Sequence, residues 1–567
     1  MNTSQQRRMY LIGFVLLVAI IVVILRLVSF QFLSADEIDE LSRQIQLYSV
    51  TAQPARGTIT DRNGAVLAGN GNDYQVGISP ISIINSEEIA TELAPILNRP
   101  RHEILKILKS NRSFEVLDGR VAPHIAEEIR SLGYDQIQLD PLPRRRYPQG
   151  DLLCHVLGYV DFDNEGGSGL EGIYQVELAG AAATGTGHLS PLMEQTGIIA
   201  REGADLVLTI DRTVQYVAEA QLAKTVEETE ADGGSIIVMD PRTGAILAMA
   251  SYPCYSPYQY FEADKDLLLN PAISKQYEPG SVMKLITMAA ALDSGTVTPQ
   301  TTYNDTGVLW VGGNPIYNWD RGAYGTVDMT ELLAHSLNIG AATIATWMGP
   351  DTLYNYIQRF GFNRPLGIDL MAEIAGNLPL PGDPGWTETN IATNAFGQGL
   401  AVTPLQMLSA VSALANDGYL MQPYIVQEIQ RDGQVYNREP TILSRPVSEQ
   451  TAHQLTAMAV NAVRTEVFGA QLEGYTVAGK TGTAQIPEGG VYDPDNTIAS
   501  FIGWLPADDP ELIVLVKIDR PQTSPWGSTV AAPAFSQLAE RLVILLDIPP
   551  DEMRLQQEVL AVRTEGD

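Results

Sequence analysis

Residues 278–292 read EPGSVMKLITMAAAL. Pro279 and Gly280 form a turn, and Ser281 then opens an apolar helix. Positions i and i+3 share one helix face, so the Ser281 hydroxyl and the Lys284 amine lie within reach of each other. A serine is a weak nucleophile until a neighbouring base takes its proton. A lysine can serve as that base only when burial or a second cation depresses its pKa. Taken alone, the pattern also fits an ordinary N-cap serine followed by a surface lysine.

Two further motifs lie downstream. Ser336-Leu-Asn338 sits inside TVDMTELLAHSLNIGAATIA, which reads as one helix over 328–346. A Ser-x-Asn pair can relay a proton and hold an amide, although so short a tripeptide recurs by chance and also fits a helix end or loop with polar caps. His335, beside it, reads as a packing or surface residue. Lys480-Thr481-Gly482-Thr483 lies in YTVAGKTGTAQ, where β-branched residues indicate a strand over 476–484. Gly482 would let a substrate backbone lie against that strand. Lys480 offers a cation for a carboxylate, and Thr481 a hydroxyl.

The same segment, Gly474 to Thr481, also satisfies the phosphate-loop pattern G-x-x-x-x-G-K-[ST]. That rival, a membrane-anchored nucleotidase, needs a buried strand before the loop and a helix directly after Thr481. GTAQIPEGG would break such a helix at once.

Composition narrows the classes. Lys and Arg number 36 against 67 Asp and Glu, a formal charge of −31 over 567 residues. Such a chain repels phosphate backbones, so nucleic acid is not expected as a partner. Two cysteines, Cys154 and Cys254, exclude a disulfide scaffold and a Cys-rich zinc site, and whether they pair is not legible. Met9–Leu25 is uncharged and apolar, Arg7 and Arg8 precede it, and Asp36, Glu37, Asp39 and Glu40 follow. This reads as one membrane span with the N-terminus cytoplasmic and the remainder outside. A cleaved signal peptide is the alternative.

Beyond the span, 36–50 reads as a polar helix or stalk. Residues 51–200 read as β-rich, with helices at 86–97, kinked by Pro95, and 101–109, and with loops at Gly166–Gly169 and Gly185–Gly187. From 205 onward an α+β domain is expected. It comprises a helix at 213–228, a hairpin at 234–249, helices at 281–293, 351–360, 403–416 and 448–464, late strands at 476–484, 498–505 and 512–518, and a helix at 532–546. The end, 549–567, reads as a frayed polar tail.

Ser-x-x-Lys, Ser-x-Asn and Lys-Thr-Gly, in this order within one domain, resemble the set shared by penicillin-binding proteins and serine β-lactamases. The chain as a whole resembles a class B penicillin-binding protein, a peptidoglycan D,D-transpeptidase. Arg56-Gly-Thr-Ile-Thr-Asp61-Arg62-Asn63-Gly64, Arg146-Tyr147-Pro148 through Tyr159, and Gly169-Leu170-Glu171-Gly172-Ile-Tyr174 resemble blocks of that family's N-terminal module. Phe396-Gly397-Gln398-Gly399, Val402–Gln406 and Phe501–Ala507 are most similar to the division-associated, septal type. Ser336-Leu-Asn338 departs from the Ser-Ser-Asn of many relatives.

The resemblance implies a cytoplasmic tail at 1–8, a signal anchor at 9–32 and a non-catalytic pedestal or dimerisation-type domain at 33–204. A transpeptidase domain of antiparallel sheet and packed helices follows at 205–548, with the polar tail at 549–567. It implies acyl transfer from a stem peptide ending in D-Ala-D-Ala to a neighbouring stem-peptide amine, and acylation by β-lactams. Catalysis would fall to Ser281, Lys284, Ser336, Asn338 and Lys480, and substrate binding to Thr481, Gly482 and Thr483. The N–H groups of Ser281 and Thr483 would form the oxyanion hole. No metal or organic cofactor is implied. Partners would be lipid-linked peptidoglycan precursor, a polytopic membrane glycosyltransferase and other wall-synthesis or division proteins. Elongation-type transpeptidase, D,D-carboxypeptidase, β-lactamase and non-catalytic division scaffold are the alternatives.

Overall fold

Five antiparallel strands build the central sheet of the computed structural model. Their spatial order is Ala478–Glu488, Val491–Leu505, Leu512–Asp519, Gly233–Met239 and Ile246–Tyr252. The structure describes residues 3–28, 47–52, 54–181, 183–188, 201–488 and 491–556. Side chains alternate across a strand, and here both faces are covered. Ile236, Val238, Val514 and Val516 pack with the helices Arg212–Thr229 and Ala531–Leu545. Ile237, Met239, Ile513 and Leu515 face the opposite core, which contains the helix Met283–Asp293. Burial on both faces is why these strands read as continuous apolar runs.

Met283–Asp293 is buried from Met283 to Leu292. A helix enclosed on every side suits a lattice of small and apolar residues, as in MKLITMAAAL. Lys284 is the one charged side chain within that buried stretch. The α+β class and its antiparallel sheet match the sequence expectation.

A second sheet carries Gln434–Asn437, Val426–Arg431, Asp205–Leu208, Ile59–Thr60, Val66–Ile78 and Glu115–Val121 in order, with Ile137–Arg146 also paired to Val66–Ile78. Ile59–Thr60 and Asp205–Leu208 run parallel. Ser86–Ile96 and Arg101–Leu108 cover a separate core through Ile89, Leu93, Ile104 and Leu108. Pro95 falls in the last turn of its helix, so it ends the helix there and does not kink it.

The blocks around Arg56, Arg145 and Glu171 converge. Glu171 is fully buried and accepts from Arg56 Nε at 2.7 Å and from Arg145 Nε at 2.6 Å. Arg56 Nη2 also donates to the Glu171 carbonyl at 2.9 Å. Cys154 and Cys254 form a disulfide, with Cα atoms 6.2 Å apart.

By contact the chain divides into two units, residues 1–55 with 180–203 and residues 56–179 with 204–567. The first holds the helix Thr3–Val28 and an antiparallel pair, Leu47–Ala52 with Ala183–His188. Gly185–Gly187 thus lies in a strand and not in a loop, while most of the expected stalk at 36–50 falls outside the described residues. The side chains of 13–26 are exposed. Among the described residues no helix is long and apolar enough to cross a membrane.

The expected fraying after 549 is corrected for 549–556. Arg554 pairs with Asp508 and Asp551 at 2.6 and 2.9 Å, and Asp551 accepts from the Thr476 N–H at 2.6 Å. Residues 557–567 lie outside the described set.

Removing one charge from the buried cluster leaves two enclosed guanidinium groups uncompensated. Glu171→Gln is therefore expected to destabilise the fold by about 3–5 kcal/mol, read from the urea unfolding midpoint.

Candidate active site

Ser281 lies in a short 3-10 turn, Gly280–Val282, that leads into the helix Met283–Asp293. The α-helix thus begins two residues later than its sequence suggests. Gly280 has φ +56°, and its N–H donates to the Gly397 carbonyl at 3.1 Å. A Cβ on Gly397 would meet Gly280 N and C at 2.6 and 2.7 Å. Glycine at 397 is thus what lets that loop press against the turn presenting Ser281. Glu278 fastens the same loop, accepting from the Gly399 N–H at 2.9 Å.

The Lys284 amine lies 3.0 Å from Ser281 Oγ, as the i, i+3 spacing requires. It also reaches the Ser336 carbonyl at 2.6 Å, Asn338 Oδ1 at 2.8 Å and Ser336 Oγ at 3.2 Å. Burial pushes its pKa well below the usual lysine range, and nearby Lys480 lowers it further. The amine donates to Ser281 Oγ, the Ser336 carbonyl and Asn338 Oδ1 at its three shortest contacts, and once it gives up a proton its lone pair can turn to the Ser281 hydroxyl.

The expected helix at 328–346 is broken. Met329–Ala334 stops, and Asn338–Met348 starts afresh after Ser336, whose φ is +57°. Left-handed backbone at a non-glycine residue costs about 1–3 kcal/mol. That turn delivers both the carbonyl and the hydroxyl of Ser336 to Lys284. Asn338 is held from behind, its Nδ2 donating to the Tyr317 carbonyl at 3.1 Å.

Lys480 projects from Ala478–Glu488, the edge strand of the central sheet, and is 1% exposed. Burial lowers its pKa to about 7, with Glu466 opposing. A charge on Lys480 in turn disfavours a charge on Lys284. Ser281, Ser336, Asn338, Lys480, Thr481 and Thr483 all line one cleft of about 740 Å³. The Lys480–Thr481 pair sits mid-strand, which removes the phosphate-loop reading, since no helix follows.

Gly482 has a packing role that the sequence reading lacked. It is not part of the cleft wall. A Cβ there would point inward, onto Ser500 Oγ, 2.9 Å from Val282 Cγ2 and 3.0 Å from the Pro279 carbonyl. Its bare α-carbon admits the serine turn.

Sequence reasoning missed the cleft rim. Trp319 and Trp526 meet edge to face at 5.4 Å, and Glu466 is the carboxylate among the lining residues. Neither tryptophan sits in a periodic pattern, and only folding brings them together. His335 pairs with Glu466 at 3.2 Å and packs near Tyr324 at 5.4 Å, a rim role consistent with the expectation. The described clusters of metal-type ligands, Cys154–His155–Cys254 and Asp417–Glu449–His453, contain no cleft residue, and the two cysteines are joined as a disulfide.

Residues 234–540 match the family description "Penicillin binding protein transpeptidase domain", and residues 51–186 match "Penicillin-binding Protein dimerisation domain". The chain belongs to the penicillin-binding protein transpeptidase family. It is 34% identical to stage V sporulation protein D of Bacillus subtilis, over 98% of this chain and 88% of that one. It is 33% identical to penicillin-binding protein PbpB of Mycolicibacterium smegmatis, over 82% and 74%. The crystal structure of penicillin-binding protein 3 from Mycobacterium tuberculosis complexed with ampicillin superposes with a TM-score of 0.69 at 27% identity, covering 88% of this chain and 97% of that one.

Two outcomes follow from this geometry. Gly482→Ala displaces the serine turn, and a misplacement of that kind lowers penicillin acylation by about 10²-fold in stopped-flow assays. Lys480 has a depressed folded pKa, so the unfolded chain holds the extra proton between about pH 7 and the ordinary lysine value of 10.5, and stability rises with pH across that window. Lys480→Met should therefore raise the unfolding temperature at pH 7 by roughly 2–4 °C, a gain that shrinks toward the alkaline end, while the wild-type acylation rate falls as pH rises through about 7.

Proposed function

We propose that this chain is a serine D,D-transpeptidase that cross-links peptidoglycan stem peptides. The reading rests on one observation: Ser281 Oγ lies 3.0 Å from the buried amine of Lys284, at a cleft shared with Lys480. Lys284 takes the Ser281 proton as Oγ attacks the penultimate D-Ala carbonyl. The N–H groups of Ser281 and Thr483 stabilise the oxyanion, each such donor being worth about 3–4 kcal/mol. The C–N bond then breaks, and the Ser336 hydroxyl relays the proton from Lys284 to the departing D-Ala amine. Lys480, Thr481 and Thr483 hold the terminal carboxylate, and Asn338 holds the substrate amide. An amine from a neighbouring stem attacks the acyl-enzyme, forming the cross-link and freeing Ser281.

A β-lactam presents the same carboxylate and an acyl carbonyl, and so acylates Ser281. Solved relatives complexed with ampicillin and aztreonam support this. Septal wall synthesis is supported by the likeness of Phe396–Gly399, Val402–Gln406 and Phe501–Ala507 to the division-associated type. Anchoring through Met9–Leu25, with the catalytic part outside the cell membrane, is supported by Arg7 and Arg8 ahead of that run and by the Cys154–Cys254 disulfide, a bond of oxidising compartments. A polytopic membrane glycosyltransferase would supply the glycan strands.

Labelled penicillin should modify the wild-type chain once, at Ser281, as mapped by mass spectrometry of the adduct. Ser281→Ala should lose labelling completely while keeping its unfolding temperature. Persistent labelling of the folded variant defeats the assignment.

A further inference from the structure

Opposite charges mark two places in the one cleft. Lys480 is a buried cation on its strand, and among the described lining residues Glu466 is the sole carboxylate. The reaction has two substrates with the same division of charge. The donor stem ends in a carboxylate, and the acceptor stem brings an amine, which is an ammonium at neutral pH. Lys480 answers the first.

Glu466 stands where local energetics oppose it. It is the last residue of the helix Glu449–Glu466. The C-terminal end of a helix carries partial negative charge, so a carboxylate there is unfavourable, whereas a cation is favoured, as Arg464 is in the same turn. The Glu466 side chain is 39% exposed, so a molecule in the cleft can reach it. Oε1 faces His335 Nδ1 at 3.2 Å, and among the described residues no group donates a hydrogen bond to Oε2. Lys480 feels the charge of Glu466, but its amine turns to the Thr481 hydroxyl and carbonyl at 3.4 and 3.5 Å. The carboxylate beyond Tyr324, Asp320, is already committed. It accepts from Tyr324 Oη at 3.0 Å and from the Gly322 N–H at 2.9 Å.

Two exposed indoles line the same cleft. Trp319 is 55% exposed and Trp526 42%. Trp319 Nε1 donates to the His335 carbonyl at 3.3 Å, and the N–H of Gly527, next to Trp526, donates to Thr483 Oγ1 at 3.1 Å. Their edge-to-face contact thus joins the wall of Ser336 to the strand of Lys480. Open indole surface suits the methylenes and the ammonium of an alkylamine, since the ring face is negative and attracts a cation.

We propose that Glu466 is an acceptor-specificity residue, whose carboxylate captures the ammonium of the incoming stem amine as it enters the cleft. The inference rests on the transpeptidase reading and deepens it. Capture precedes chemistry. The ammonium gives one proton to solvent. The neutral amine then forms its C–N bond as the ester C–O bond to Ser281 breaks, and its second proton passes to Ser281 Oγ. An amine that arrives uncharged gains nothing from Glu466.

Partition of the acyl-enzyme tests this in the full chain. Ser281 is acylated from a D-alanyl thioester, and the amide formed with each added amine is measured against hydrolysis. Nα-acetyl-lysinamide is the ammonium acceptor, and methoxyamine, uncharged at neutral pH, is the neutral one. Glu466→Gln should raise the half-saturating concentration of the ammonium acceptor, relative to that of methoxyamine, about three- to fivefold. Glu466→Lys should raise that ratio further, and added salt should shrink the difference between wild type and variants. Both variants should hold or gain in unfolding temperature, because they relieve the helix end. An effect passed through Lys480 or through packing would move both acceptors alike, and that result overturns the proposal. So does a ratio that neither variant moves. An acyl-enzyme that forms and then ignores both amines overturns the acceptor role while serine acylation stands. If Ser281 takes up neither thioester nor penicillin, the transpeptidase reading itself fails and this inference falls with it.

Discussion

An amine enclosed in apolar protein, with a second amine nearby, is the constraint on which the rest of this molecule is arranged. Lys284 sits in a helix buried from Met283 to Leu292, and that placement pushes its pKa well below the usual lysine range. The same nitrogen in water would hold its proton and leave Ser281 inert. Keeping it neutral requires a scaffold that excludes solvent from the helix, a partner set that takes up its N–H bonds, and a second cation close enough to matter. Each requirement traces to a separate stretch of chain.

The scaffold meets them through close backbone approach. The central sheet is covered on both faces, so its edge strand is rigid where Lys480 emerges. Gly397 and Gly482 bring two other segments onto the serine turn at distances a side chain would prevent. The left-handed Ser336 turns its carbonyl onto the lysine. The site is thus assembled from tight steric fits in which two glycines do as much positioning as the polar residues.

Much of this was legible in the sequence, and the failures share a cause. The Ser281–Lys284 pair could be read because helix geometry alone fixes an i, i+3 contact. The strand of Lys480 could be read from β-branched neighbours. The break at Ser336 was legible only as an alternative, a helix end with polar caps, because TELLAHSLNIGAATIA keeps helical apolar spacing on both sides of the turn, and a left-handed serine leaves no compositional mark. The packing of Gly482 on the serine turn was not legible, because a strand pattern says nothing about which face meets which neighbour. The Cys154–Cys254 bond, the Trp319–Trp526 contact and the anchoring of Arg554 all join positions distant along the chain, and no local rule reports them.

The backbone at Ser336 also bears on how such a protein can be improved. Glycine would accept that conformation freely and relieve the strain, yet it would remove the hydroxyl that faces Lys284. A screen that rewards heat resistance alone would therefore favour a sturdier chain with a poorer catalyst. Thermostabilising designs for this enzyme class should hold position 336 fixed and look for their gains at surface helices far from the cleft.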